Sequence, residues 1–275
     1  MLRKMVITDL DGTLIGPDNK ISRTDLETLA ALRAEGIICA AATGRSLHYV
    51  NKVVTNDIPL DYCIFSTGGG IIDWPTKEIL VSHRLNSSEI YESFQVLSEY
   101  KLDFMIHNPI PDNHYFHYFK NSVNNKDFDT RVHRNSEFKK ELDAGNIPKN
   151  AAQLIAIHSS PGSREIYYEI KKQLPRLNVI MTTSPLDGFS IWIEIFPKAV
   201  SKSCAAMWLA KKCNVSEDNI MAVGNDYNDE DLLVWAKKSF VVDNAPLDLK
   251  EKFNVVKGFD DSGFSDAVNK WKKGQ

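Results

Sequence analysis

The chain has 275 residues, 43% hydrophobic and 25% charged, with a formal net charge of −3 and a pI near 6.2. These values fit a folded globular protein of one large domain or two unequal ones, and they argue against nucleic acid or an acidic membrane surface as a bulk electrostatic partner. No stretch approaches the roughly 20 apolar residues of a bilayer-spanning helix, and Asp9 and Asp11 arrive too early for a signal peptide's apolar core, so a cytoplasmic location is expected.

Residues 5–8 form a short apolar run that ends in Asp9 and predicts a strand. A helix follows, opened by Ser22 with Asp25 three residues on, a capping-box arrangement. Leu26, Leu29, Ala30 and Leu32 give it one apolar face and Gly36 closes it. Residues 37–42 are small and apolar throughout, as in a strand buried on both faces of a parallel sheet. A second helix starts near Ser46, and residues 62–65 make a third strand that ends before Gly68.

From 83 to 186 the texture changes. Pro109, Pro111, Pro148, Pro161, Pro175 and Pro185 punctuate strand-like runs at 104–107 and 153–158 and a helix at 164–174. This stretch predicts an inserted α+β domain. The alternating grammar then resumes, with a strand at 189–196, a helix from Ser201 to about Cys213 and a strand at 220–223. A helix from about Asn228, a strand at 240–242 and two further helical segments complete the chain. The fold class is therefore α/β: a doubly wound parallel sheet formed by residues 1–82 and 187–275, carrying the inserted domain 83–186. Cys39, Cys63, Cys204 and Cys213 form no CxxC pair and read as reduced packing residues.

Four polar clusters each follow a predicted strand, which places them at one edge of one sheet, where such folds hold ligands. The first is Asp9-Leu10-Asp11-Gly12-Thr13. Two carboxylates about 4 Å apart repel by about 4 kcal/mol at an effective dielectric of 20, and a divalent cation is the usual remedy. Asp and Gly are also common turn residues, but an EF-hand is excluded, because the glycine comes too early and Lys20 stands where the closing Glu belongs. Thr43-Gly44-Arg45 offers a hydroxyl, a close backbone approach and a helix start, the parts of a phosphate cradle. Lys202 sits in the first turn of a helix, against the helix dipole, as a cation held to meet an anion would. Gly224-Asn225-Asp226-Tyr227-Asn228-Asp229 supplies two carboxylates and two amides, more than a helix cap requires.

In this order the clusters resemble the haloacid dehalogenase superfamily of aspartate-nucleophile phosphatases. The insertion resembles the large cap of its Cof-type branch. The resemblance implies a Rossmann-like core and a Mg2+-dependent phosphomonoester hydrolase acting on a small phosphorylated metabolite such as a sugar phosphate. By the same resemblance Asp9 is the nucleophile that becomes an aspartyl-phosphate, and Asp11 is the general acid and base. Lys202 counters charge, while Thr43, Gly44 and Asn228 contact the phosphoryl group. Asp9, Asp11 and one or more of Asn225, Asp226 and Asp229 hold the metal.

Several positions depart from the family pattern. Asn225 stands where a metal-binding aspartate is usual, Thr67 replaces a common asparagine and Ser203 a common glycine. Rival readings are a phosphomutase, which lacks an arginine cluster beyond Arg131 and Arg134, and a non-catalytic phosphate-binding protein, which Asn225 would permit. His107, His114 and His117 fit no zinc spacing. Residues 112–117 read as a substrate-facing segment of the insertion, and Tyr167, Tyr168 and Trp192 as packing residues. No apolar stripe or heptad stands out, which leaves a monomer as the default.

Overall fold

The computed structural model describes residues 3–159, 163–184, 186–188 and 190–274. In chain order it begins β1 (Met5–Thr8), α1 (Arg23–Ala34), β2 (Ile38–Ala42), α2 (Leu47–Val53), β3 (Tyr62–Phe65), β4 (Gly70–Asp73) and β5 (Ile79–Ser82). The middle of the chain adds β6 (Leu85–Asn86), α3 (Ser87–Glu99), β7 (Asp103–His107), β8 (Phe116–Phe119), α4 (Lys126–Arg134) and β9 (Lys139–Glu141). It continues with β10 (Asn150–Ala151), β11 (Gln153–His158), α5 (Ser163–Gln173), β12 (Leu177–Thr183) and β13 (Ile191–Pro197). Last come α6 (Lys202–Cys213), β14 (Ile220–Gly224), α7 (Glu230–Trp235), β15 (Lys238–Val242), α8 (Leu247–Lys250), β16 (Asn254–Val256) and α9 (Gly263–Lys272).

The chain divides into two compact units: one of Met1–Arg45, Tyr49–Ser82 and Ser201–Gln275, the other of Ser46–His48 and His83–Val200. The first unit is an eight-stranded sheet in the order β16-β15-β14-β1-β2-β3-β4-β5. Strands β16 to β3 run parallel, as expected, whereas β4 and β5 extend the sheet as an antiparallel pair. Strand β1 is central and wholly buried, with Thr8 opposite Val223 on one side and Ala41 on the other. Met5 and Ile7 of β1 join a core with Ala206, Leu209, Leu232, Leu233 and Leu249 from α6, α7 and α8. Helices α1 and α9 pack together against β2 and β14, tied by the buried Asp25 carboxylate, which accepts from Ser265 N–H at 2.9 Å. Ser22 caps α1 as its sequence predicts, its hydroxyl accepting from Asp25 N–H.

The second unit is built on a six-stranded sheet, β12-β13-β11-β7-β8-β9, antiparallel except for the β8–β9 pair. Phe128 and Val132 of α4 pack on one face with Met105, Phe116, Ile155, Ile157 and Trp192. Here one expectation is corrected. The sequence pattern places a strand at 189–196 in the first sheet and ends the insertion at 186, but β13 pairs antiparallel with β11 and β12, so the unit extends to Val200. Residues Trp192 to Phe196 are buried without alternation, the texture of a central strand in either kind of sheet. Phe189, Pro161 and Pro185 lie outside the described residues. Tyr167 and Trp192 are buried packing residues, but Tyr168 is exposed.

Candidate active site

Asp9 leaves the C-terminal end of β1, its N–H donating to the Val223 carbonyl of β14 at 2.9 Å. Its side chain is buried, and Oδ1 accepts from Lys202 Nζ at 2.7 Å. Lys202 is the first residue of α6 and is fully buried. The same Nζ donates to Asp229 Oδ1 at 2.6 Å. A lone ammonium inside a protein would shed its proton. Two carboxylates make this one hold it more tightly than usual, against the burial that pulls the other way. With both carboxyls ionised the trio would carry one net negative charge, and burial relieves this by pushing the Asp9 carboxyl up to about 8, with Lys202 opposing and Asp229 and Asp11 adding to the rise.

Asp229 is placed by its own loop. After Gly224 the chain turns through a short 3-10 segment, Tyr227–Asp229, that precedes α7. Asp229 Oδ2 accepts from the N–H groups of Asn225 and Asp226 at 3.0 and 3.1 Å, while Asp226 caps the Asp229 N–H in return. Gly224 permits this fold-back: a Cβ there would stand 2.5 Å from Asp229 Cγ. Both Asp226 and Asp229 are therefore engaged in holding the loop and Lys202. Asn225 differs: among the described residues its Oδ1 accepts only from the Thr13 hydroxyl, at 3.3 Å, and its amide lies against Gly12.

Asp11 does not join the buried trio. Arg45 Nε donates to its two oxygens at 3.0 and 2.8 Å, and the Arg45 guanidinium also donates to Asn19 Oδ1 at 2.9 Å. Among the described residues, no hydrogen bond reaches Asp9 Oδ2 or the Asp11 carbonyl oxygen. Thr43 follows β2 and is fully buried, its N–H donating to the Ile64 carbonyl and its hydroxyl accepting from Arg45 N–H at 3.1 Å. A substituent on Gly44 would meet Asn228 Nδ2 at 3.5 Å and Thr67 Oγ1 at 3.6 Å, so those two polar atoms border the space in front of Gly44.

Asp9, Lys202 and Asp229 thus come into direct contact, as do Thr13 with Asn225 and Asn228 with the Gly44 region. Lys202 does so without following a strand of this sheet, because α6 comes after β13 of the other unit. Three residues in this network were given no role from the sequence, although Arg45 stands in the Thr43-Gly44-Arg45 cluster. Arg45 pairs with Asp11; Asn244 Nδ2 donates to the Gly12 carbonyl at 2.8 Å; Asp231 accepts from Ser203 N–H at 3.0 Å at the start of α6. Asp231 had a readable signal, an acid two positions beyond the same predicted loop; the partners of Arg45 and Asn244 had none. In the second unit His107 Nδ1 meets the Asn113 carbonyl at 2.8 Å, and no three His, Cys, Asp or Glu side chains among the described residues converge as a metal site. All four cysteines are free, and no described helix is long and apolar enough to cross a membrane.

The sequence profile of the haloacid dehalogenase-like hydrolases matches residues 6–268. A putative phosphatase of Streptococcus pyogenes is 25% identical over 278 residues, covering 98% of both chains. The HMP-PP phosphatase of Klebsiella pneumoniae is 23% identical over 256 residues, covering 90% of this chain and 87% of that one. Among solved structures, a phosphatase of the same superfamily from Bacteroides thetaiotaomicron superposes with a TM-score of 0.79 at 17% identity, over 98% of this chain and 96% of that one. A profile that runs from the first strand to the last helix, over a sheet whose central strand ends in the buried Asp9–Lys202 pair, shows that the chain is an enzyme of the haloacid dehalogenase-like hydrolase family.

Proposed function

We propose that the chain hydrolyses a small phosphomonoester, such as a sugar phosphate, with Mg2+ and through an aspartyl-phosphate on Asp9. The reading is carried by one observation: a carboxylate at the end of the central strand is buried and held by an ammonium that is itself fully buried. Structure-only roles rarely bury two carboxyl groups against a single ammonium, whereas a site that must receive a cation and a phosphate does so. In support, relatives along the whole chain are named phosphatases, one of them an HMP-PP phosphatase.

The residues fit a magnesium ion, which takes oxygen ligands and keeps several waters. Asp9 Oδ2 and the Asp11 carbonyl accept no hydrogen bond among the described residues, and Asn225 Oδ1 accepts one long bond from Thr13, so these oxygens would hold the ion. Asp226 and Asp229, both committed to the loop, then act indirectly. When bound, the ion supplies positive charge that lets a carboxylate approach a phosphate dianion.

Asp9 attacks phosphorus in line with the leaving alcohol; the Asp9–phosphorus bond forms as the phosphorus–alkoxide bond breaks. Asp11, once released from Arg45 and protonated from solvent, gives that proton to the departing alkoxide and later takes one from water as that water displaces Asp9. Lys202 orients Asp9 throughout and offsets charge on the transferring group, while Thr43, Gly44 and Asn228 contact the phosphoryl oxygens. The test is hydrolysis of an aryl phosphate with and without Mg2+. Wild type should turn over only with the metal, and Asp9→Asn should lose at least about 1,000-fold. Turnover that survives in Asp9→Asn would rule out this mechanism.

A further inference from the structure

The turn after β3 has backbone angles that its sequence does not favour. Ser66, Thr67 and Gly68 have φ of 50, 56 and 98°, three left-handed residues in a row, and all three are buried. For a β-branched residue such as Thr67 this region is a true outlier. Strain of this kind persists only where the surroundings over-determine it, and it concentrates at functional sites.

The surroundings here are two parts of the proposed phosphate site. On one side the turn holds the strand end that carries Thr43 and Gly44. Thr67 N–H donates to the Thr43 carbonyl at 2.9 Å, and Ser66 N–H donates to the Arg45 carbonyl at 2.8 Å. The Thr67 hydroxyl and the Asn228 amide flank Gly44. On the other side, a Cβ on Gly68 would stand 2.2 Å from the Ser201 carbonyl oxygen and 3.3 Å from the Ala205 Cβ. Ser201 is the N-cap of α6, its hydroxyl accepting from Cys204 N–H at 3.1 Å, and Lys202 is the next residue. Right-handed or extended backbone at 66–68 would aim the N–H groups away from Thr43 and Arg45.

We propose that Ser66-Thr67-Gly68 is a positioning element that sets the separation between the Thr43–Gly44 cradle and Lys202, and hence the width of the phosphate site. The left-handed backbone is what that spacing demands. The proposal rests on the phosphate-hydrolase reading for its substrate, but its readout is phosphate binding and not turnover alone. A shift of about 1 Å between two groups that grip one phosphoryl unit is enough to lose about 100-fold in rate.

The experiment compares Gly68→Ala, Thr67→Gly and Thr67→Asn with wild type. Inorganic phosphate affinity in the presence of Mg2+ is measured by calorimetry, kcat and KM on an aryl phosphate, and folding by circular dichroism. Gly68→Ala must push the start of α6 outward; its phosphate affinity should fall at least tenfold and its kcat at least 30-fold, at a temperature where it is folded. Thr67→Gly can fold without strain whatever becomes of Gly68→Ala; it leaves the turn unpinned and should weaken phosphate binding at least fivefold. Thr67→Asn tolerates left-handed backbone and keeps a polar side chain, so it should recover most of that loss. Phosphate affinity within twofold of wild type in folded Gly68→Ala or in Thr67→Gly would overturn the proposal, as would Thr67→Asn binding no better than Thr67→Gly. Wild type that binds phosphate without hydrolysing an aryl phosphate would sink the phosphatase reading and leave the turn to be judged by binding. Wild type that does not bind phosphate would sink both.

Discussion

At the scale of single residues, charge accounting explains the most. Asp9 and Asp229 share the single ammonium of Lys202, which leaves one negative charge buried once Asp9 is ionised, and Asp11 is matched by Arg45. The amide of Asn225 adds an oxygen to this set without adding charge. Asn225→Asp would supply a further carboxylate near Asp9, repelling it in the metal-free protein and attracting the cation in the loaded one. The expected result is Mg2+ affinity roughly tenfold tighter, about 1.4 kcal/mol, together with a lower melting temperature without metal; unchanged affinity would remove Asn225 from the ligand set. In the other unit, burial pulls the His107 imidazole down to about 3, and Nε2 has no partner among the described residues. Nδ1–H therefore donates to Asn113 and the ring is neutral. An unfolded chain takes up a proton at this position below its ordinary 6.5 while the native one does not, so stability is lost as the pH falls from 6.5 towards 3. The slope from this group approaches about 1.4 kcal/mol per pH unit. His107→Gln should flatten it in urea titrations at pH 4 to 7, and a wild-type-to-variant difference that does not change with pH would contradict that account.

Among the elements, those with a strong local signal were legible and those defined by partners were not. Strands β3 and β11 and the Ser22 cap fall where hydrophobic pattern and capping chemistry put them. The pattern of β13 announces a strand but points to the wrong sheet, because Trp192 to Phe196 are buried without a break in an antiparallel setting. Of the site, Asp9 and Lys202 could be read from their motifs, but the Arg45–Asp11 pair and the left-handed Thr67 depend on residues far apart in sequence or on backbone angles that no residue type announces. Helix α6 shows how an element is tuned for its task. Lys202 in its first turn opposes the dipole, and the Asp231 carboxylate, accepting from Ser203 N–H, restores negative charge there. Asp231→Ala should cost about 1 kcal/mol of stability, seen as a lower melting temperature; a neutral outcome would mean that water replaces the carboxylate.

For the molecule as a whole, every strand of the eight-stranded sheet comes from outside His83–Val200, and so does its α6–α8 core. The excised ends are also near neighbours: Ser82 pairs with Gly70 on β4, and Ser201 packs on Gly68. A chain in which residues 83–200 are replaced by a short Gly/Ser linker should therefore fold, with a cooperative urea transition and the far-ultraviolet signature of a parallel α/β sheet. Failure to unfold cooperatively would mean that the sheet depends on the insertion for stability.

The separation of 193 residues between Asp9 and its partner Lys202 has a consequence for the order of events on the ribosome. Chains emerge from the N-terminus and domains fold as units, so the contiguous insertion is complete before the split domain that hosts it. Strand β1 has no β14 beside it, and Asp9 no ammonium, until the last third of the chain has been made. The nucleophile is thus assembled late, in a nascent chain whose insertion is already folded, and a chain arrested before Lys202 can carry a structured insertion but not the buried trio.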